Sequence, residues 1–303
     1  MGWKIFFGFI FFLIVCVLLI SYWIIPFKTA EFGVQSENSN FSLNNNSNSM
    51  QFYPNMRYPT SKISYQIYDC SLQKKNDMER AFEIIANTTL LNFYSVDSDE
   101  QISVNCDSKT KIEEGLFIAG EGGPTNITPA GNFNVILHGS ILLIRDSKCD
   151  TPNIAIHELL HTLGFNHSEN SNNIMYPISK CGQTIGEDIF NLINELYSPQ
   201  SYSDLTFENV SAIMEGRYLN LNMSIRNNGL KSSEKAKVII YANGKFVKEI
   251  DLDALEIGYG RKINLENVLV SQINVKELEL FIDYTFDELE KNNNRIILKI
   301  KNE

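Results

Sequence analysis

The stretch HELLHTLGFNH, residues 157–167, decides the fold of the region around it. It holds three of the four histidines in the 303-residue chain. His157 and His161 are four residues apart, which on an α-helix places both imidazoles on one face, about 40° from each other. Gly164 can adopt a left-handed conformation that ends the helix, so that His167 approaches from another direction. The spacing therefore predicts a metal site with three histidine ligands.

A tetrahedral zinc ion with three neutral imidazole ligands keeps one open position, which is typical of a catalytic site and not of a closed structural one. We expect water in that position, with its pKa lowered by the metal, and Glu158 beside it as the general base. Glu158 would then pass the proton to the leaving amine. The predicted reaction is hydrolysis of a peptide bond without a covalent intermediate.

Two other interpretations compete with this one. A bare HExxH pattern is a modest signal, because many helices expose His and Glu, but Leu159, Leu160 and Leu163 indicate a mostly buried helix whose histidines need partners. The full HExxHxxGxxH pattern is far more specific. A surface adhesion or binding protein that keeps zinc without turnover is the rival from another class, and the intact Glu158 argues against it.

With the segment NNIMYP, residues 172–177, the histidine motif resembles the metzincin zinc metallopeptidases. In that family a turn containing a methionine lies beneath the ligating histidines, and Met175 matches this methionine. Ser168, directly after the third histidine, is similar to the matrixin branch. The resemblance covers about residues 62–198 and implies an α+β catalytic domain, a twisted mixed sheet plus three helices, that holds one catalytic zinc ion.

The segment AGNFNVILHGSILL, residues 130–143, resembles the part of matrixins that contains the edge strand for substrate binding. The resemblance implies that a short stretch pairs with the substrate backbone: Gly139, Ser140, Ile141, Leu142 and Leu143. Residues 115–134 are rich in Gly and Pro, which predicts strand fragments joined by a long irregular loop.

Other candidate ligands are weaker. His138, the fourth histidine, is expected to be a strand or loop residue and not a ligand. Calcium is possible as a further ion, and Asp146, Asp150 and Glu187 could contribute to such a site, although a solvated surface position is the expected role of each.

The N-terminus predicts a membrane anchor. Residues 5–25 carry no charge and would span about 31 Å as a helix, which matches the hydrocarbon core of a bilayer. A cleaved signal peptide is the alternative, but Lys28 stands where a small residue should precede the cut. We therefore expect an anchor over residues 1–28, an Asn/Ser-rich flexible stalk over residues 29–60, and the remainder of the chain outside the cell.

Of the five cysteines, Cys16 lies in the predicted anchor and four lie beyond it. Four cysteines outside the cell suggest two disulfides, and three pairings are possible. Shorter loops favour Cys70 with Cys106 and Cys149 with Cys181.

The catalytic domain is predicted over residues 61–200 and a small all-β sandwich over residues 205–303. The segments NNG, residues 227–229, and FIDYTFDELEKNNN, residues 281–294, resemble the CARDB family of adhesion-related sandwiches, which implies a possible surface partner. The net charge of −10 argues against nucleic acid as a ligand. The sequence thus predicts a membrane-anchored extracellular zinc endopeptidase that acts on proteins or peptides.

Overall fold

The computed structural model describes residues 2–24, 29–34, 50–109, 111–113 and 116–301. These residues form two compact units. The helices are α1 (Gly2–Ile24), α2 (Leu72–Thr88), α3 (Asn153–Thr162) and α4 (Glu187–Tyr197). The strands are β1 (Thr29–Val34), β2 (Met56–Arg57), β3 (Lys62–Ile67), β4 (Asn92–Ser95), β5 (Ile102–Cys106), β6 (Ile112–Glu113), β7 (Leu116–Phe117), β8 (Gly120–Ala130), β9 (Phe133–Leu143), β10 (Leu205–Glu215), β11 (Tyr218–Asn227), β12 (Ala236–Ala242), β13 (Lys245–Leu252), β14 (Gly260–Leu269), β15 (Glu277–Asp283) and β16 (Arg295–Ile300).

The first helix, α1, forms where the apolar run predicts a helix. Within the described part of the chain, however, no helix combines the length and the apolarity that a membrane span requires. The transmembrane role of residues 5–25 stays a prediction from the sequence. Lys28, on which the choice between anchor and signal peptide depends, lies outside the described residues.

The stalk predicted for residues 29–60 is wrong at both ends. Residues 29–34 form β1, which pairs with β10 and β16, and its Phe32 side chain is 2% exposed. At the other end, Met56 and Tyr58 are fully buried in the core of the unit that contains α3. Apolar side chains in both segments pack into cores formed mainly by residues far away in the sequence. The composition of a short segment does not predict such contacts. Residues 35–49 lie outside the described part.

The unit that contains α3 is built on a mixed sheet in the order β2, β9, β5, β3, β4, with β8 added to β9. The pairings among the five ordered strands are parallel, and β8 alone runs antiparallel to its neighbour. The helix α3 contacts β8, β9 and α2, and its apolar side chains join those of the sheet in one core. This is the predicted α+β arrangement with three helices.

The predicted substrate-binding edge strand is wrong, because residues 139–143 of β9 are paired on both sides. Gly139 to Leu143 pair with residues 102–106 of β5 in parallel, and also with residues 120–124 of β8 in antiparallel. Their backbone is thus occupied by the sheet itself. The edge of the sheet is β8, in the segment that the sequence predicted to be largely irregular loop.

Both favoured disulfides are confirmed. Cys70 and Cys106 join the start of α2 to the end of β5, while Cys149 and Cys181 join the segments on either side of α3. The helix α2 begins where the Ser71 side chain accepts a hydrogen bond from the backbone N–H of Lys74, as expected of an N-cap serine.

The second unit is an eight-stranded antiparallel sheet in the order β13, β12, β15, β16, β1, β10, β11, β14. Seven of these strands come from the predicted sandwich and the eighth, β1, comes from the N-terminal part of the chain. Buried and less buried residues alternate along β11 and β12, which is the pattern of strands with one face on a core. The turn between β12 and β13 has positive φ angles of 45° at Asn243 and 75° at Gly244, which a two-residue Asn-Gly hairpin turn requires.

Candidate metal centre

The helix α3 ends at the point that the third histidine requires. Gly164 has a φ of +96°, a conformation that other residues rarely adopt, and the N–H of Phe165 donates to the carbonyl of Leu160 at 3.0 Å. A Cβ built on Gly164 would lie 2.7 Å from the Cβ of Met56. Both the backbone conformation and the close approach of Met56 therefore require glycine, and the chain leaves the helix axis as the sequence predicts.

The three histidines converge on one point. The Nε2 atom of His161 lies 3.0 Å from that of His157 and 3.1 Å from that of His167. Their potential ligand atoms all lie within 4.8 Å of one another, and no other group of three His, Cys, Asp or Glu side chains does so among the described residues. His157 and His161 are buried, whereas His167 is exposed.

Backbone carbonyls fix the tautomers of the two helical histidines. The Nδ1 atom of His157 lies 2.7 Å from the oxygen of Ile174, and that of His161 lies 2.8 Å from the oxygen of Phe165. A carbonyl oxygen only accepts, so each Nδ1 must carry the proton and each Nε2 keeps a free lone pair for a metal. Burial also lowers the pKa of His157, and lowers the pKa of His161 to about 4, which keeps both rings neutral at pH 7.

These donors fit a zinc ion. Nitrogen ligands at about 2.0–2.1 Å from a tetrahedral zinc lie about 3.3 Å from each other, which is close to the two Nε2 separations described above. The set is made of three imidazoles, two of which have their Nδ1 protons oriented by backbone carbonyls, and imidazole is a donor that zinc prefers. His157, His161 and His167 are therefore the residues that would hold the metal.

The predicted methionine turn lies under this site. The N–H of Tyr176 donates to the carbonyl of Asn173 at 3.0 Å, which closes a four-residue turn, and Met175 within it is 1% exposed. The carbonyl of Met175 accepts a hydrogen bond of 2.9 Å from the N–H of Ser168, the residue after the third histidine. Because the neighbouring carbonyl of Ile174 holds the first histidine, this one turn fixes the positions of two of the three imidazoles.

Glu158 lies on the buried side of α3 and is 5% exposed. Burial, and to a smaller extent the negative charge of Glu121 on β8, raises the pKa of its carboxyl to about 8. The contact with β8 is close: a Cβ built on Gly120 would lie 2.9 Å from Glu158 Oε1, and one built on Gly122 would lie 2.3 Å from the Glu158 carbonyl oxygen. Glycines at these positions allow the edge strand to pack directly against the helix at the candidate base.

Comparison with known families agrees with this geometry. Residues 55–198 match the family model of the matrixins. Residues 202–297 match the model of the CARDB family. Both resemblances inferred from the sequence are therefore confirmed, and a matrixin domain indicates a metallopeptidase.

Many solved structures match parts of this chain, and one of them is a CARDB domain. The CARDB domain of a protein from Pyrococcus furiosus, solved in complex with di-metal ions, shares 18% identity with this chain. The match covers 32% of this chain and 93% of that domain, with a TM-score of 0.26. A search of curated proteins gave no match.

Residues 50–52, predicted to belong to the stalk, pack against the matrixin-like domain near the candidate metal site. The N–H of Phe52 donates to the carbonyl of Gly164 at 3.0 Å, and the N–H of Asn166 donates to the carbonyl of Met50 at 2.9 Å. The ring of Phe52 stacks on that of His161, with 5.7 Å between centroids and 24° between planes. Residues 50–52 thus run alongside the chain that leads to His167.

Three sequence predictions for this domain have different outcomes. Residues 139–143 are not at an edge, as described above. His138 lies on β9, the strand position expected of it, and its Nδ1 is 2.7 Å from the hydroxyl of Thr125. Asp146, Asp150 and Glu187 are exposed and do not form a group of three ligands in the described part of the chain, so calcium binding by them stays a prediction.

Proposed function

We propose that this protein is a zinc-dependent endopeptidase. The observation that supports this most directly is the convergence of three imidazole Nε2 atoms next to the buried carboxyl of Glu158 in a matrixin domain. A zinc ion held by these nitrogens would polarise the peptide carbonyl and lower the pKa of a water molecule. Peptides and proteins are the substrates that such a domain implies.

In this proposal the protein supplies the proton transfers and the orientation of the ligands. The positive charge of a bound zinc ion would lower the raised pKa of Glu158, so that its carboxylate would accept the proton of the attacking water and deliver it to the nitrogen of the leaving amine. The carbonyls of Ile174 and Phe165 hold the Nδ1 protons of the two helical histidines, so that neither ring can rotate its donor nitrogen away. The 5% exposure of Glu158 limits its contact with bulk water.

The substrate would bind along β8. Among the described strands β8 pairs only with β9, so its other edge is available to an extended peptide. Main-chain hydrogen bonds of this kind recognise a peptide backbone independently of its side chains, and pockets then select the sequence. The segment 120–124 is the relevant part of the edge, because Gly120 and Gly122 contact Glu158.

The test is cleavage of a generic unfolded protein by the purified, zinc-loaded chain. Glu158→Gln should keep the zinc and reduce the rate by about 10²–10⁴, the usual contribution of a general base. Glu169→Gln, which changes an exposed carboxylate beyond the third histidine, is the matched control and should cleave normally. His167→Ala should lose zinc as measured by elemental analysis. If the unaltered protein binds zinc but cleaves nothing, the rival function, adhesion or binding without turnover, is the better one.

We further propose that the matrixin domain acts outside the cytoplasm, because two disulfides persist in oxidising compartments. Attachment to the cell membrane through residues 5–25 depends on the sequence alone. Cell fractionation tests it: a carbonate-resistant membrane fraction containing the intact N-terminus supports the anchor. Release into the medium of a chain that has lost this segment supports the signal peptide. A surface partner for the CARDB domain remains a prediction from the family resemblance.

A further inference from the structure

Two buried carboxylates lie together in the CARDB unit, where β10 begins beside the segment between β15 and β16. Glu288 is 3% exposed and Asp204 is 8% exposed. Glu288 Oε1 accepts a hydrogen bond of 3.0 Å from the N–H of Leu205, and Asp204 Oδ1 accepts one of 2.8 Å from Nδ2 of Asn293. These contacts bring residues 204–205 and residues 288–294 into one polar cluster.

The cluster contains more hydrogen-bond acceptors than donors. Asn294 is 1% exposed and its Nδ2 donates to Glu288 Oε2, but its buried Oδ1 has no hydrogen-bond partner among the described residues. The buried Oδ1 of Asn293 also has none, while its Nδ2 is shared between Asp204 and the hydroxyl of Thr206 at 2.9 Å. Leaving a buried acceptor unpaired costs free energy, so these two oxygens beside two carboxylates are acceptors that a bound cation would pair.

The pKa values of the two carboxyl groups are consistent with a site that attracts a cation. Burial raises the pKa of Asp204 to about 6 and that of Glu288 to about 7. Repulsion from Glu290 is part of the pKa shift of Asp204, and repulsion from Asp204 is a smaller part of the pKa shift of Glu288. Lys291 acts in the opposite direction on Glu288, but its effect is the smallest. Near neutral pH the buried negative charge is therefore incompletely compensated.

We propose that Asp204, Glu288, Asn293 and Asn294 form a calcium site in the CARDB unit. Carboxylate and amide oxygens are the ligands of a hard cation, and Ca²⁺ accepts six to eight of them in a flexible geometry. The hydroxyl of Thr206 and water can complete the shell. The absence of imidazole and thiolate donors separates this site from the histidine centre, which suits zinc. A bound ion would pair the two orphaned amide oxygens and offset the charge of both carboxylates.

Calorimetric titration of the zinc-loaded protein with CaCl₂ tests the proposal. We expect one ion per chain, with a dissociation constant on the order of 10⁻⁴ to 10⁻³ M, the range of extracellular calcium modules. Glu288→Gln and, independently, Asp204→Asn should each weaken binding at least tenfold. Glu256→Gln and Asp251→Asn make the same chemical changes at exposed positions of the same unit and should leave the affinity unchanged.

The Glu288→Gln variant also distinguishes a lost ligand from a lost fold. Its remaining Oε1 can still accept from Leu205 N–H. Its new amide nitrogen faces Asn294 Nδ2, so a half-turn of the Asn294 side-chain amide is needed to bring Oδ1 into place as the acceptor. Without calcium its melting temperature should therefore equal or exceed that of the unaltered protein. Addition of calcium should raise the melting temperature of the unaltered protein and of both controls, but not that of Glu288→Gln.

Three outcomes would overturn the site. The first is no calcium binding by the unaltered protein up to about 10 mM, well above the expected range. The second is equal affinity in the unaltered protein and in both cluster variants, which would place the ion elsewhere, for instance at the acidic residues of the matrixin domain. The third is equal binding of Mg²⁺, because this smaller ion needs a near-octahedral shell and should bind at least tenfold more weakly in a flexible site.

Discussion

Gly122 on β8 lies so close to Glu158 on α3 that a Cβ at residue 122 would come within 2.3 Å of the Glu158 carbonyl oxygen. Backbone atoms on a buried helix cannot give way as the end of a flexible side chain does. The short distance between β8 and α3 therefore depends on the lack of a side chain at residue 122. A substrate bound along β8, as proposed above, would be positioned against Glu158 by the same relationship.

Gly122→Ala should displace β8 from α3. We expect a loss of about 1–3 kcal/mol in the free energy of unfolding from overpacking. We also expect peptide cleavage to fall by about 10²-fold, since a displacement near 1 Å of a reacting group has that effect. Chemical denaturation and a cleavage assay measure the two effects.

Gly123→Ala is the control for this substitution, because a Cβ there meets no atom within 4 Å. Its free energy of unfolding should stay within about 0.5 kcal/mol of the original. Equal stability of the two variants would show that β8 and α3 are not in the close contact described here.

Phe52→Ala should weaken zinc binding. The Phe52 ring stacks on His161, and such ring contacts contribute about 0.5–1.5 kcal/mol, so we expect the zinc dissociation constant to rise by up to about tenfold. Competition with a chromogenic chelator measures it. Tyr53→Ala removes a neighbouring aromatic side chain that is 56% exposed, and it should leave zinc affinity unchanged.

The metal centre could be predicted from sequence because its determinants are local. The four-residue spacing of His157 and His161, the glycine after the helix and Met175 all act within a short stretch of chain, and helix geometry converts the spacing into a position. The contacts of Gly120 and Gly122 with α3 could not be predicted, because they join segments that are far apart in the sequence. Gly120 and Gly122 looked like loop residues because glycine disfavours strands in isolation, and only the proximity of α3 explains them.

Long-range pairing accounts for the other failures. One partner of β1 is β10, where Ala30 lies opposite Met214, and nothing near residue 30 signals a partner so distant in sequence. The Asn/Ser-rich neighbourhood of this strand suggested a stalk. Residues 139–143 lie in a strand, as predicted. Whether that strand is at the edge of the sheet or inside it depends on whether β8 forms. The Gly and Pro residues of β8 favour a loop in a sequence-based prediction.

Phe32→Ala should destabilise the CARDB unit, although residue 32 precedes the matrixin domain in sequence. Phe32 is 2% exposed in the core of this unit, and removal of a buried phenylalanine side chain costs about 3–5 kcal/mol. Val34→Ala, at a position 38% exposed on the same strand, should have a much smaller effect. Hydrogen exchange of peptides from β10 and β16 locates the change. Unaltered protection in Phe32→Ala would show that β1 does not belong to the sheet.

The stability of the CARDB unit should depend on pH through Asp204 and Glu288. Their pKa values in the folded protein, about 6 and about 7, are above the value near 4 of an unfolded carboxyl group. The folded state therefore binds more protons than the unfolded state between pH 4 and 7. The free energy of unfolding is then greatest at the acidic end of this window and decreases as the pH rises through the folded pKa values.

Hydrogen exchange in β10, corrected for the intrinsic rate at each pH, should show this as lower protection at pH 7.5 than at pH 5.5 in calcium-free buffer. Asp204→Asn should reduce the dependence, because the amide carries no titrating proton, while Asp251→Asn at an exposed position should not. Saturating calcium should restore protection at pH 7.5 if the ion occupies the cluster. Protection that increases with pH in calcium-free buffer would contradict the assignment of raised pKa values to these two buried groups.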